Sequence, residues 1–341
     1  MSRRRTAATA TATALSLVAL TACGTSLEPG TNEGDVLHLA LNQTESHPSY
    51  VALRHWADHL EQHTGGRWTI DIYPNETLGA QAEAMQLVSD GSVEMAIVSG
   101  PQLENVNPDF IALNLPTTFD DIDHQMRVVA DESVVGELYS SLERTNNITV
   151  LGGFTQGNRS VYTTSGPVES PADLAGQKLR VQESELHIAM AQALGASATP
   201  MAYGELYTGL QAGVVDAAEN NEVSFASQRH FEVAPHWSYT NHLVGLDYLI
   251  INTDMLRSMT PEDRAVLDEG WDRARAEHVE LWRQATEEAV AAAEAGGATF
   301  HEVDDTVFDE ALEPLADRFL TTETQRRIYE DARAAAEPGR S

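Results

Sequence analysis

Residues 170–221 read SPADLAGQKLRVQESELHIAMAQALGASATPMAYGELYTGLQAGVVDAAENN, and the spacing of their apolar side chains decides the fold class. In Lys178–Gln182 the alternation puts Leu179 and Val181 on one face and Lys178, Arg180 and Gln182 on the other, which predicts a short strand. Glu185–Ala193 and Glu205–Ala212 predict helices, and a further short strand is expected near Ala217. Strands and helices alternate, so the class is α/β.

The same alternation opens the chain. Val36–Leu41, Trp68–Tyr73 and Met95–Ser99 read as strands, separated by helices over Tyr50–Thr64, closed by Gly65-Gly66, and near Gln81–Asp90, stopped at Gly91. Ile148–Gly152 and Ser160–Thr163 read as two short strands, and His242–Ile251 as a strand returning to the first series. Thr260-Pro261-Glu262-Asp263 is a helix start, with proline at the first position and acids in the first turn. No breaker follows before Gly296, which predicts a helix of about 35 residues and about 50 Å, longer than one domain is wide.

Composition narrows the function. The chain has 341 residues, 42% of them hydrophobic and 21% charged, which suits a two-domain globular protein. Acidic residues number 52 against 21 basic, a net charge of −31 that would repel a phosphate backbone, so nucleic acid is excluded as a partner. Residues 1–22 carry Arg3, Arg4 and Arg5, then a short Ala/Thr/Leu stretch ending at Leu20-Thr21-Ala22, and read as a signal peptide too short to span a bilayer. Cys23, the sole cysteine, completes a segment that resembles the lipobox of bacterial lipoproteins, so lipidation is expected there and no intrachain disulfide is possible. Residues 23–34 then form a polar tether; cleavage would take the net charge to −34.

The catalytic and metal motifs do not assemble. There is no nucleophile elbow, Walker loop or HExxH, and the pairs Asp120-Asp121 and Asp304-Asp305 read as loop charges, since adjacent side chains point apart. His55, His59 and His63 share a helical face with metal-binding spacing, but lie beside the apolar stripe of Leu53, Trp56 and Leu60 and read as solvated. No enzyme activity, metal or cofactor is expected.

The opening stretch carries more than a fold class. Ser170–Val181, Leu194-Gly195-Ala196, Thr199-Pro200-Met201 and Gly204–Asn221, with His47-Pro48, Leu78-Gly79, Leu115-Pro116 and Gly157-Asn158-Arg159, resemble the substrate-binding proteins of TRAP transporters, the DctP-like family, over about residues 36–310. The resemblance implies a two-lobed periplasmic-binding-protein-like fold with a long helix spanning both lobes. Lobe I would comprise 35–156 and 246–285, and lobe II 157–245 and 286–337. The lobes would close on a small organic acid and deliver it to small and large membrane subunits. The protein would be extracytoplasmic and held at the cell membrane by its lipid.

The resemblance also implies site residues. The family's carboxylate-clamping arginine falls on Arg180, and the chemistry agrees, because a guanidinium donates two parallel hydrogen bonds and stays charged when desolvated. Arg159 matches a second arginine, with a hinge or surface charge pair as the other reading. Asn220 matches a substrate-contacting asparagine; Glu219 and Asn221, flanking it, are expected to bind backbone or the hinge. Tyr203 matches a pocket aromatic that is equally suited to packing, and Gln81, Ser99 and Glu183 fall at ligand-proximal positions. His47 is open between a ligand hydroxyl and a helix cap. Pro200–Glu205, Glu219-Asn220-Asn221 and His230–Ala234 are similar to the subgroup binding hexuronates such as glucuronate and galacturonate, although Val223-Ser224-Phe225 replaces its usual Pro-Ser-Tyr. A C4-dicarboxylate, with Arg159 as second anchor, is the alternative ligand, and a receptor presenting ligand to a sensor kinase the alternative role.

Overall fold

In a computed structural model the described residues are 35–336; the signal peptide, Cys23, the tether and residue 337 lie outside them. Nine strands form one sheet: β1 (Asp35–Ala40), β2 (Trp68–Tyr73), β3 (Met95–Ser99), β4 (Ile148–Thr163), β5 (Lys178–Val181), β6 (Ser197–Pro200), β7 (Ala217–Asn220), β8 (His236–Asn252) and β9 (Thr299–Glu302). Their order is β2-β1-β3-β8-β4-β7-β5-β6, with β9 beside β8. β1 runs parallel to β2 and β3, and β5 parallel to β6 and β7, as crossover helices require, whereas β4 and β8 pair antiparallel down the centre.

The first crossover helix, Pro48–Thr64, ends at Gly65, whose φ of 65° lets its amide turn back to Gln62 O and leaves open space where a Cβ would stand. The second, Gln81–Asp90, ends the same way at Gly91. Both match expectation. The central strands differ from it. Ile148–Gly152 and Ser160–Thr163 belong to one 16-residue strand, β4, and β8 begins at His236, ahead of the expected His242. The residues between the two expected segments are absorbed by irregularities in the β4–β8 pairing, at Val150/Gly152, Thr155/Asn158 and Arg159/Val161.

Those irregularities let the sheet fold over. Laid flat, the outer strands of an eight-strand path would stand roughly 34 Å apart at about 4.8 Å per strand. Here Glu76, just after β2, accepts a hydrogen bond from Gly204 N, just after β6, at 3.1 Å. The two halves of the sheet therefore face each other as two lobes, bent about β4 and β8. One core gathers Leu37, Leu39, Trp56, Leu249 and Trp271, and another Tyr162, Phe225, Trp237 and Ala293.

The long helix runs Pro261–Ala295, with Thr260 Oγ1 accepting from Asp263 N as its cap. Leu267 and Trp271 pack in the first of these cores and Ala293 in the second, so the helix ties both lobes together. Trp282, between them, packs with Val223. Among the described residues no helix is long and apolar enough to cross a membrane.

Candidate ligand-binding cleft

Arg180 sits inside the sheet, between β6 and β7, and is 3% exposed. Its Nε and Nη2 donate to Met201 O at 3.0 and 2.8 Å, which orients the fork, and its guanidinium lies 6.0 Å from the centre of the Tyr203 ring. Among the described residues no carboxylate comes within ion-pair distance of it, and Nη1 donates to none. Burial pulls its pKa below the ordinary arginine value, with Glu219 only partly compensating. The result is a desolvated, oriented cation lacking a counter-ion.

Arg180 opens on a narrow crevice, which it shares with Gln81, Glu183 and Tyr203 of the expected set. Gln81 Oε1 accepts from Ser99 N at 2.6 Å, fixing the end of β3 against the crevice, while Ser99 Oγ is buried without a partner. Tyr203 Oη stands beside Ser224 outside hydrogen-bond geometry, and burial pushes its pKa up to about 12. Glu183 is exposed, and its backbone carbonyl accepts from Asn105 Nδ2 at 2.8 Å, a second bond across the cleft.

Arg159 and Asn220 belong to a network behind the crevice. Arg159 grips Glu219 with both arms of its fork, Nε to Oε2 at 2.5 Å and Nη2 to Oε1 at 2.8 Å. Its Nη1 donates to Gln156 Oε1 at 2.6 Å and to Asn220 Oδ1 at 3.1 Å. Burial would lower the Arg159 pKa, but Glu219 outweighs it and holds the group above its ordinary value. Burial likewise pushes Glu219 upward, and Arg159, with His242 Nε2 at 3.7 Å, brings it below the usual carboxylate range. Gln156 also donates to Asp247, whose carboxyl burial raises to about 6. Asn221 caps the next helix through Ser224 N, a backbone role expected for it.

His47 stands at the start of the first helix, where Nδ1 accepts from Ser49 N at 3.2 Å; Nε2 is buried without a partner, and burial lowers its pKa to about 3. His47 is thus a neutral cap. His59 and His63 stack at 4.0 Å, His55 Nδ1 meets Glu277 at 2.8 Å, and among the described residues no group of three or more His, Cys, Asp or Glu is placed to hold a metal ion. Asp121 caps the helix Ile122–Val128 through His124 N, and Asp304 accepts from Thr306 N in a local turn.

The crevice also contains residues that sequence reasoning missed: Glu76, Gln102 and Gln182. Gln182 had a signal, since the strand alternation already placed it on the Arg180 face. Glu76 and Gln102 had none: Glu76 lies in a turn and Gln102 in a helix of five residues, and neither segment has a period that orients its side chain.

Comparisons with known proteins agree with the fold. Residues 39–323 match the family model for bacterial extracellular solute-binding protein, family 7 (DctP). A solute-binding protein of Chromohalobacter salexigens is 33% identical over 276 residues, covering 81% of this chain and 82% of that one. A TRAP periplasmic solute-binding protein from Anaerococcus prevotii, solved with bound D-glucuronate, is 32% identical with a TM-score of 0.85, covering 88% of this chain and 97% of that one. Another from Bradyrhizobium, in complex with D-galacturonate, is 30% identical with a TM-score of 0.84, covering 88% of this chain and all of that one, 100%.

Proposed function

Since the chain belongs to bacterial extracellular solute-binding protein family 7, the DctP family of TRAP solute-binding proteins, we propose that its ligand is a hexuronate, D-glucuronate or D-galacturonate, held between the lobes and passed to the membrane subunits. The observation that carries this reading is the unpaired guanidinium of Arg180, oriented by Met201 O at the wall of a crevice. A carboxylate bound there completes a buried bidentate pair. Gln81, Gln102 and the unpartnered Tyr203 hydroxyl supply partners for sugar hydroxyls. Arg159 spends its fork on Glu219, which argues against its serving as the second anchor of a dicarboxylate.

The lobes are assigned to exchange at residues 157 and 246, beside the Thr155/Asn158 irregularity of β4. No covalent step is assigned. Cys23 is proposed as the lipidated residue, and Cys23→Ala should move the protein from the membrane to the soluble fraction of the cell; retention in the membrane would remove the lipid-anchor proposal.

The test of the ligand is thermal unfolding of residues 24–341 with hexuronates, aldonates and C4-dicarboxylates. A micromolar binder at millimolar concentration adds about 4 kcal/mol of stability. Stabilisation by a hexuronate is the expected result. Stabilisation by dicarboxylates alone would replace the ligand, and none by any acid would remove the proposal.

A further inference from the structure

The crevice beside Arg180 contains a carboxylate that the family resemblance does not assign. Glu76 follows β2 in a turn where Asn75 and Glu76 both have positive φ, 57° and 55°. Residues with a Cβ disfavour that left-handed conformation. It is held here by two backbone bonds to the segment after β1, Asn75 N to Gln43 O at 3.0 Å and Glu76 N to Leu41 O at 3.1 Å. Strain held in place by its surroundings points to a role for the side chain it aims.

That side chain reaches over the crevice. Oε2 accepts from Gly204 N at 3.1 Å, whereas Oε1 is buried and accepts from nothing. An ionised carboxylate can only accept, and a buried acceptor left unpaired calls for a donor. Glu76 lines the same crevice as Arg180 and Glu183. Glu183 is exposed and its charge is screened by solvent, so Glu76 dominates the negative side of the crevice.

We infer that Glu76 is a specificity-determining residue that selects hydroxylated monocarboxylates over dicarboxylates, accepting a ligand hydroxyl at Oε1 and repelling a second carboxylate. The inference rests on the sugar-acid reading of this crevice and deepens it. A hexuronate offers one carboxylate to Arg180 and hydroxyl donors to Glu76. The hexarate of the same skeleton, oxidised at both ends, brings a second anion towards a carboxylate that is already there, and two close carboxylates disfavour joint ionisation.

Isothermal titration of D-galacturonate and galactarate into the wild-type protein and Glu76→Gln tests this. Glutamine keeps a carbonyl oxygen for Gly204 N and removes the charge. The wild type should prefer galacturonate by at least about tenfold, and Glu76→Gln should narrow that ratio by about tenfold. A ratio unchanged by the substitution, or a wild type that binds both acids equally, overturns the inference while leaving the uronate assignment standing. A wild type that binds no galacturonate fails the uronate assignment itself, and the inference with it. If Glu76→Gln does not fold, the wild-type ratio decides alone.

Discussion

Two buried arginines twenty-one residues apart have opposite electrostatic situations, and this separates their predicted phenotypes. Arg159 is matched by Glu219, so Glu219→Gln leaves a buried cation unpaired and should cost about 3–5 kcal/mol of stability, read from urea unfolding. A cost below about 1 kcal/mol would mean that the pair is not structural. Arg180 has no counter-ion, so Arg180→Met should leave stability of the ligand-free protein unchanged or raised, yet weaken ligand binding by about 2–5 kcal/mol. Destabilisation as large as that of Glu219→Gln would make Arg180 a structural residue instead. The sequence pointed to both arginines, with Arg180 as the clamp and Arg159 open between a second ligand contact and a charge pair, but did not name the partner of Arg159. What distinguishes them is the cross-strand register, which sets Val161 opposite Glu219 and Ser160 opposite Asn220, and so brings the Glu219 carboxylate to the Arg159 fork. Register is a long-range property and leaves no local signature.

At the scale of elements, legibility followed hydrophobic period and punctuation. The helices 81–90 and 185–193 and the strands 68–73 and 95–99 fall where their patterns put them, as does the long helix between Thr260 and Gly296, because each is bounded by its own cap or turn. β6 and β9 were not anticipated: Ser-Ala-Thr-Pro and Thr-Phe-His-Glu lack the alternating pair of large apolar side chains that marks Leu179 and Val181 in β5, and each pairs with a neighbouring strand that supplies its hydrogen bonds. β4, read as two short strands, holds three glycines, Gly152, Gly153 and Gly157, in its first half and middle. Gly157 shows why they are needed: its φ is +63°, and a Cβ there would lie 2.5 Å from Trp282 Nε1 on the long helix. Gly157→Ala should therefore destabilise the protein by about 1–3 kcal/mol through overpacking at the crossing of strand and helix. An unchanged melting temperature would show that the indole can move aside, and that this contact does not hold the bend.

Across the whole molecule, buried titratable groups set the response to acid. Burial lowers His47, His187 and His230 to about 3 each, and His278 well below the ordinary histidine value. Below about pH 6.5 the unfolded chain takes protons on these rings that the fold refuses, so their contribution shrinks as pH falls towards 3. Burial raises Glu104 and Glu222 to about 7 and Asp247 to about 6, which acts in the opposite sense. Between about pH 4 and these raised values the fold keeps protons that the unfolded chain releases, so acidification favours it, and below about pH 4 that gain is complete. Stability should thus change little from about pH 6.5 to 4.5 and fall several-fold more steeply below, measured as urea midpoints; a uniform slope down to pH 3 would contradict the assignment. The bend in the sheet has a mechanical consequence as well. Rotation about β4 and β8 moves each strand in proportion to its distance from that axis, and β2 and β6 lie three strands out on either side. At roughly 14 Å of lever arm, ten degrees of opening displaces an edge by roughly 2.5 Å. The Glu76–Gly204 bond, at the two tips, is therefore an end-stop contact, made in the last degrees of travel and broken in the first.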